Sequence, residues 1–204
     1  VLDSYQKDEA DFHSIVSEMA GIPRSQAKTI NLGLFYGMGK NKLQAELGTN
    51  KQEAEDLFAK YHSRVPFVKQ LMNAVMQRAQ DSGRIRTLLG RLCRFHLWEP
   101  NQFGIHKPLP HEAALAEHGP GIKRAYTYKA LNKLIQGSAA DMTMKAMIDL
   151  YKEGITPHIQ VHDELDISVS DNADKIKEIM EHTVELEVPN KVDYEHGNNW
   201  GSIK

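Results

Sequence analysis

The sequence contains a single cysteine, Cys93, and no long apolar run. One thiol excludes a framework of internal disulfides and is typical of a reducing compartment, so we expect a cytoplasmic location. No apolar stretch approaches the length that crosses a membrane, and the polar N-terminus does not resemble a signal peptide. These absences favour a soluble globular chain.

The sequence also has no surplus of positive charge. Lys and Arg number 25 against 27 Asp and Glu, a formal net charge of -2. This balance excludes a protein that is basic all over, so any contact with nucleic acid must depend on local patches. The 204 residues, 41% of them hydrophobic, are enough for one or two cores.

Cationic and aromatic residues recur at intervals of four in the stretch 24–37, RSQAKTINLGLFYG. The stretch predicts a helix that ends at Gly37, with a stripe about 18 Å long formed by Arg24, Lys28, Leu32 and Tyr36. Cations suit phosphates and an aromatic ring suits a base, so a nucleoside triphosphate fits this stripe. The alternative is that the two cations form only a solvated helix face.

Residues 158–169, HIQVHDELDISV, alternate in polarity on either side of a polar triplet, His162, Asp163 and Glu164. The pattern predicts two strands joined by a tight turn. Because Mg²⁺ prefers carboxylate oxygens, we predict Asp163 as a metal ligand and Glu164 as a supporting carboxylate. One alternative is an ordinary acidic turn. The other is an HD-type phosphohydrolase, but that fold needs further metal-binding histidines on helices, and none is suitably placed.

The segment 83–95, GRIRTLLGRLCRF, alternates apolar and basic residues and predicts short strands around Gly90. A DNA backbone suits its four arginines, although a solvated surface also explains them: Arg84, Arg86, Arg91 and Arg94. Residues 96–121, rich in Pro, Gly and His, are predicted to be an irregular loop without a metal site. Residues 122–153 are predicted to form one long helix.

Several of these segments resemble, in order, motifs of the family A DNA polymerases, the group of bacterial DNA polymerase I and many phage replicases. Arg24, Lys28 and Tyr36-Gly37 resemble the fingers helix, which implies that the two cations hold the incoming triphosphate and that Tyr36 borders the template base. Leu32 departs from the usual Phe or Tyr, which affects the expected handling of the nucleotide sugar.

Two further segments extend the resemblance. Asp11-Phe12-His13 is similar to the family's Asp-Ile-His, which implies that His13 also contacts the triphosphate. Asn132 and the run from Gln136 to Asp141 are similar to Asn-x-x-x-Gln-Gly-Thr-Ala-Ala-Asp. By this resemblance Asn132 and Gln136 contact the minor groove at the primer terminus, where amides can donate to acceptors that every correct pair presents.

The acidic hairpin and the basic segment carry the remaining matches. Val161-His162-Asp163-Glu164 resembles the catalytic Val-His-Asp-Glu motif, so His162 is expected at the primer end and Asp163, Glu164 and Lys28 are the expected catalytic residues. The basic segment resembles Thr-Leu-x-Gly-Arg-Arg, with Leu92 in place of the second Arg. This resemblance implies contacts to the primer-template duplex from Arg84, Arg86 and Arg91.

The resemblance implies an α+β fold, with a mostly helical fingers subdomain at 1–82 and a palm subdomain at 83–204. The palm would contain part of an antiparallel sheet, a long helix and a variable loop at 96–121. The implied function is template-directed DNA synthesis from dNTPs on primer-template DNA, by two-metal nucleotidyl transfer with Mg²⁺.

In the family, the motif Asp-x-Ser-x-x-Glu-Leu-Arg supplies the other metal-binding Asp. This sequence has no match to that motif. We therefore expect a second polypeptide that carries this Asp, the thumb and an optional exonuclease. The chain would be the C-terminal part of a split phage polymerase, active only in complex and located in the host cytoplasm. Two alternatives stay open, an inert DNA-binding relic and a proteolytic fragment of a single-chain polymerase.

Overall fold

The computed structural model describes residues 12–102, 104, 106–168 and 172–203. Its helices are α1 (Phe12–Ala20), α2 (Arg24–Phe35), α3 (Lys40–Leu47), α4 (Lys51–Arg64), α5 (Pro66–Ser82), α6 (His111–His118), α7 (Ala130–Lys152) and α8 (Ala173–His182). Its strands are β1 (Arg84–Arg86), β2 (Leu92–Arg94), β3 (Leu97–Pro100), β4 (Leu109–Pro110), β5 (Ile122–Arg124), β6 (Ile159–Val161) and β7 (Glu164–Asp166).

This architecture confirms the predicted α+β class, with helices and small antiparallel sheets. The chain forms two compact units, Asp11–Ile135 and a unit that includes Gln136–Lys204. The predicted subdomain limits at residues 82 and 83 stay a prediction. No helix within the described ranges is long and apolar enough to cross a membrane.

The helices of the first unit surround an apolar core. On α2 the buried residues Ala27, Ile30 and Leu34 follow the spacing of one helix face. They pack with buried residues of the neighbouring helices, which include Val16, Leu43, Leu57, Tyr61 and Val68. Each fully buried aliphatic side chain contributes roughly 1.5–3 kcal/mol relative to an exposed one, so this core stabilises the unit and fixes the outward face of α2.

The ends of the helices follow their capping residues. Asn50 accepts a hydrogen bond from the Glu53 amide at 2.9 Å and begins α4, as its position before an acidic first turn predicts. Pro66 occupies the first turn of α5, where its missing amide hydrogen costs nothing. Gly21 and Gly83, both with positive φ, follow α1 and α5.

The segment 96–121 is not an irregular loop. It contains β3, β4 and α6, and β3 pairs on one side with β4 and on the other with β5. The prediction was wrong because strands of two to four residues are too short to show alternation. The Arg124 guanidinium lies 4.5 Å from the centre of the Trp98 ring and joins β5 to the central strand.

The predicted helix over 122–153 begins later, at Ala130. Residues Ile122–Arg124 form β5 instead, and Tyr126 has a left-handed backbone conformation with φ of 62°. A non-glycine residue in that region interrupts a helix, because its Cβ crowds the carbonyl oxygen. A short 3₁₀ turn, Thr127–Lys129, then leads into α7.

The second unit contains the predicted acidic hairpin. β6 and β7 pair antiparallel, with Ile159 opposite Asp166 and Val161 opposite Glu164. His162 and Asp163 alone connect the paired residues, so the two strands and the tight turn are confirmed. The following helix, α8, begins at Ala173, after a segment that lies outside the described residues.

Candidate active site

The predicted cationic stripe lies on the outward face of α2. Arg24 and Lys28 are exposed, and Leu32 is 44% exposed. Because Ala27, Ile30 and Leu34 are buried on the opposite face, the outward direction of this stripe is fixed by the core. The arrangement offers a fork of donors and a point charge to an anion in solvent.

Tyr36 is the C-cap of α2 rather than its last helical residue. Its amide donates to the Leu32 carbonyl at 3.0 Å, and the Met38 amide donates to the Gly33 carbonyl at 2.8 Å. Gly37 has a φ of 86°, so the predicted stop is confirmed. The half-buried Tyr36 ring meets the Phe35 ring edge to face, with their centres 5.4 Å apart.

His13 lies on α1 and is joined to α2 and α4 by hydrogen bonds. Asn31 Nδ2 is 3.1 Å from His13 Nδ1, and the Tyr61 hydroxyl donates to Asn31 Oδ1 at 2.9 Å. Asn31 and Tyr61 are 7% and 3% exposed. Asp11, the first residue of the predicted His-containing motif, lies outside the described residues.

Sequence reasoning did not identify Asn31 and Tyr61 as functional residues. A signal was present, since Asn31 stands among the apolar positions of α2 and a buried amide requires partners. The identity of those partners could not be read from the sequence, because Tyr61 lies thirty positions further along the chain.

The acidic turn presents its carboxylates to solvent. His162, Asp163 and Glu164 are all exposed, and His162 has a left-handed backbone with φ of 55°. The side chain of Gln160 donates to the His162 carbonyl at 3.0 Å and supports the turn. Adjacent carboxylates are a donor set that suits Mg²⁺, although no group of three or more potential metal ligands occurs within the described residues.

An open cavity of about 1070 Å³ borders the acidic turn within the second unit. Asp163 and Glu164 contribute to its wall, together with α7 residues such as Met142 and Ala146 and the tail segment from 190 to 200. The chain therefore leaves space beside the two carboxylates.

The basic segment forms the predicted short strands, β1 and β2. Arg84 and Arg94 are opposite each other, and Arg86 donates to the Gly90 carbonyl at 2.8 Å. These three side chains and Arg91 are exposed. Since like charges opposite each other are destabilising, the β1–β2 hairpin favours an anionic neighbour.

The two predicted minor-groove residues, Asn132 and Gln136, are exposed on α7 and lie one turn apart. Asp141, the last residue of the same motif, is buried at 5% exposure. The stripe, His13 and the β1–β2 hairpin belong to the first compact unit. The acidic turn and Gln136 belong to the second.

A cationic helix face, a basic hairpin and an acidic turn are features of proteins that handle phosphate-bearing ligands. The sequence matches the model of DNA polymerase family A over residues 2–202, so the chain belongs to this family.

Relatives and a solved structure agree with this family. A DNA-directed DNA polymerase of Pseudomonas phage M6 is 34% identical over 98% of this chain and 32% of its own length. DNA polymerase I of Geobacillus stearothermophilus is 32% identical over 100% of this chain and 23% of its own length. The chain therefore spans a third or less of these relatives.

The POL domain of Pol1 from M. smegmatis, solved in complex with DNA primer-template and dNTP, has the same fold. The match has a TM-score of 0.68 over 92% of this chain and 34% of that chain, at 24% identity.

Proposed function

We propose that this chain contributes the fingers and part of the palm to a DNA polymerase that extends a primer on a template. The observation that carries the proposal is the acidic hairpin, which presents Asp163 in its two-residue turn and Glu164 directly after it, both exposed, in a chain that belongs to DNA polymerase family A. The hairpin occurs together with the other family motifs and in the family's order, which an ordinary acidic turn would not explain.

Arg24 and Lys28 bind the triphosphate of the incoming dNTP. The guanidinium supplies paired donors and the ammonium a mobile point charge, and both are exposed on one face of α2. They neutralise charge on the phosphates while the primer hydroxyl attacks the α-phosphate and the α–β phosphoanhydride bond breaks to release pyrophosphate. Lys28 thereby contributes to catalysis. Leu32 and Tyr36 border the nucleotide further along the helix.

Asp163 and Glu164 hold part of a divalent-metal site. When bound there, Mg²⁺ supplies charge neutralisation for the nucleotidyl transfer. The exposed carboxylates face water in this chain, so they can accept an ion without first breaking a buried contact. His162, at the same turn, contacts the primer end.

The DNA contacts divide into two kinds. Arg84, Arg86 and Arg91 bind phosphates of the primer-template duplex, which gives affinity without sequence preference. Asn132 and Gln136 donate to minor-groove acceptors, which tests the geometry of the newly formed pair. Support comes from the exposure of all five side chains.

A second polypeptide supplies the remaining metal-binding carboxylate and the thumb. A two-metal site uses more carboxylate ligands than one hairpin turn presents, and the open cavity beside Asp163 leaves room for a further segment. The assembled enzyme would be a split polymerase of phage type.

The test is primer extension with Mg²⁺ and the four dNTPs, using the complex purified through a tag on this chain. Asp163→Asn removes one anionic ligand with little change of shape, so we expect extension to fall at least about a hundredfold while DNA binding stays. Asp174→Asn, an exposed Asp on α8 of the same unit, is the matched control and should retain activity.

Each result decides between the alternatives. A complex that binds DNA but never extends it would identify the chain as an inert relic. Full activity in Asp163→Asn would show that the Asp163 carboxylate is not required for primer extension. Extension by a single longer polypeptide, with no second chain in the preparation, would overturn the split arrangement and leave the polymerase assignment standing.

A further inference from the structure

Three side chains from three helices of the first unit form a hydrogen-bonded relay, of which Tyr61 and Asn31 are buried and His13 is half-buried. Tyr61 on α4 donates to Asn31 on α2, and Asn31 meets Nδ1 of His13 on α1. The Tyr61 and Asn31 side chains are within the apolar core, among Ile30, Leu34 and Leu57. Polar groups in such a core are costly unless each is paired, so the relay has a defined direction.

Tyr61 sets that direction. Burial raises the pKa of the Tyr61 phenol to about 12, so the hydroxyl keeps its hydrogen at any physiological pH. In the part of the chain that the structure describes, Asn31 is the hydrogen-bond partner of this hydroxyl. The oxygen of the Asn31 amide must therefore face Tyr61, and its NH₂ group must face His13.

The reversed amide is disfavoured. With the Asn31 NH₂ group turned toward Tyr61, the phenol hydrogen would point at a donor and lose its acceptor inside the core. The neutral tautomer of His13 with its proton on Nδ1 is disfavoured for the same reason, since that N–H would meet the amide hydrogens of Asn31. The relay thus selects one tautomer of the neutral imidazole.

We propose that Asn31 and Tyr61 are positioning residues that hold the neutral imidazole of His13 in the tautomer with its proton on Nε2. A neutral imidazole has a single N–H group, and Nδ1 already accepts from the Asn31 amide. In this tautomer His13 can donate from Nε2 to the triphosphate, and that role rests on the proposed polymerase function. The tautomer itself does not.

The phosphate-binding groups would therefore differ in what they offer to the triphosphate. Arg24 and Lys28 provide positive charge, whereas the Nε2 tautomer of His13 provides a directed N–H. A histidine in the other tautomer would present a lone pair from Nε2 and repel a phosphate oxygen. Fixing the tautomer before the nucleotide arrives removes that nonproductive form.

The experiment measures the tautomer by ¹⁵N NMR on the full chain with labelled histidine. The sequence has ten histidines, so His13→Gln is used to assign the His13 signals. In the unaltered chain we expect the neutral His13 ring to carry its proton on Nε2 and none on Nδ1. Asn31→Asp, whose carboxylate accepts from both neighbours, should transfer a proton to Nδ1, and Tyr61→Phe should give a mixture of tautomers.

Tyr128→Phe is the matched control. It removes the same hydroxyl from an exposed tyrosine of the same unit and should leave the His13 signals unchanged. A His13 that carries its proton on Nδ1 in the unaltered chain would refute the proposal, and this measurement needs no variant besides His13→Gln, which assigns the signals. Signals unmoved by both Asn31→Asp and Tyr61→Phe would also refute it.

The kinetic arm separates this proposal from the polymerase function. In the active complex, Tyr61→Phe should raise the KM for dNTP several-fold with a smaller change in kcat, because a fraction of the molecules has the wrong tautomer. The NMR experiment contains no DNA or nucleotide. The tautomer proposal can therefore be refuted by NMR even if the complex extends a primer. If the complex does not extend a primer, the polymerase proposal fails and the NMR result on the tautomer still stands.

Discussion

Asp149 on α7 shows how a single residue links two elements of the second unit. Its carboxylate accepts hydrogen bonds from Lys145 at 2.6 Å, from Lys152 at 3.0 Å and from Thr183 at 2.8 Å. Thr183 directly follows α8 and is buried, so the contact joins the two helices. The hydrogen bond from Lys145 is the main reason that the pKa of Asp149 lies well below its usual 3.8.

We predict that Asp149→Asn lowers the Tm at pH 7 and that this difference shrinks in acid. A carboxyl with a depressed pKa in the folded state binds its proton more readily when unfolded. Its contribution is therefore complete above the unfolded pKa of about 4 and is lost as the pH falls toward the folded value. Thermal unfolding of both chains from pH 7 to pH 2.5 measures the effect.

Glu185→Gln, at an exposed acid of the same unit, serves as the comparison and should show little change at any pH. A Tm difference for Asp149→Asn that is independent of pH would show that the hydrogen-bonded charge is not the cause.

At the scale of elements, Gly83 connects α5 to β1, and the Arg124 guanidinium fills the space where a side chain at position 83 would lie. Gly83 has a φ of 67°, and a Cβ added there would lie 2.7 Å from the Arg124 guanidinium. That guanidinium cannot move aside freely, since it donates to the Phe95 carbonyl at 2.9 Å and to the Gln80 carbonyl at 3.1 Å. It also stacks on Trp98.

We predict that Gly83→Ala destabilises the chain more than Gly48→Ala. Gly48 has a similar φ of 64° but open space around it, so it reports the backbone cost alone, about 1–2 kcal/mol. The crowding at Gly83 should add a further ~1–3 kcal/mol. Urea unfolding measures both values.

A double-mutant cycle with Arg124→Ala isolates the crowding. The excess cost of Gly83→Ala should disappear when the guanidinium is absent. An excess that persists would place the strain in the backbone of the junction instead.

At the scale of the whole molecule, the net charge of -2 makes any DNA binding local. Replacing Arg84, Arg86 and Arg91 by Ala should weaken binding of the complex to primer-template DNA. It should also reduce the salt slope of log K by up to about 3, since each lost phosphate contact contributes about 0.9. Fluorescence anisotropy at several salt concentrations measures the slope.

The control changes the net charge by the same amount at a different place. Lys42, Lys51 and Lys60 are exposed on α3 and α4, and their replacement by Ala should leave the slope nearly unchanged. Equal slopes for the two triple variants would indicate that overall charge, and not the β1–β2 hairpin, determines binding.

Local patterns were sufficient where the signal was long or chemically distinct. The twelve residues of α2 and its stop at Gly37 followed from spacing and capping chemistry. The acidic hairpin followed from alternation around His162-Asp163-Glu164. These features depend on neighbours within a few positions, which a sequence displays directly.

The sequence by itself determined the helix of the cationic stripe and the acidic hairpin, because periodicity and residue chemistry are local properties. Its resemblance to the family motifs implied the α+β class. Only the tertiary structure decided that 97–124 contains a three-stranded sheet, since its pairing depends on contacts between separate short strands. Only packing likewise placed Tyr61 against Asn31 and His13. A buried polar group needs a partner, and only the folded chain determines which partner lies within reach.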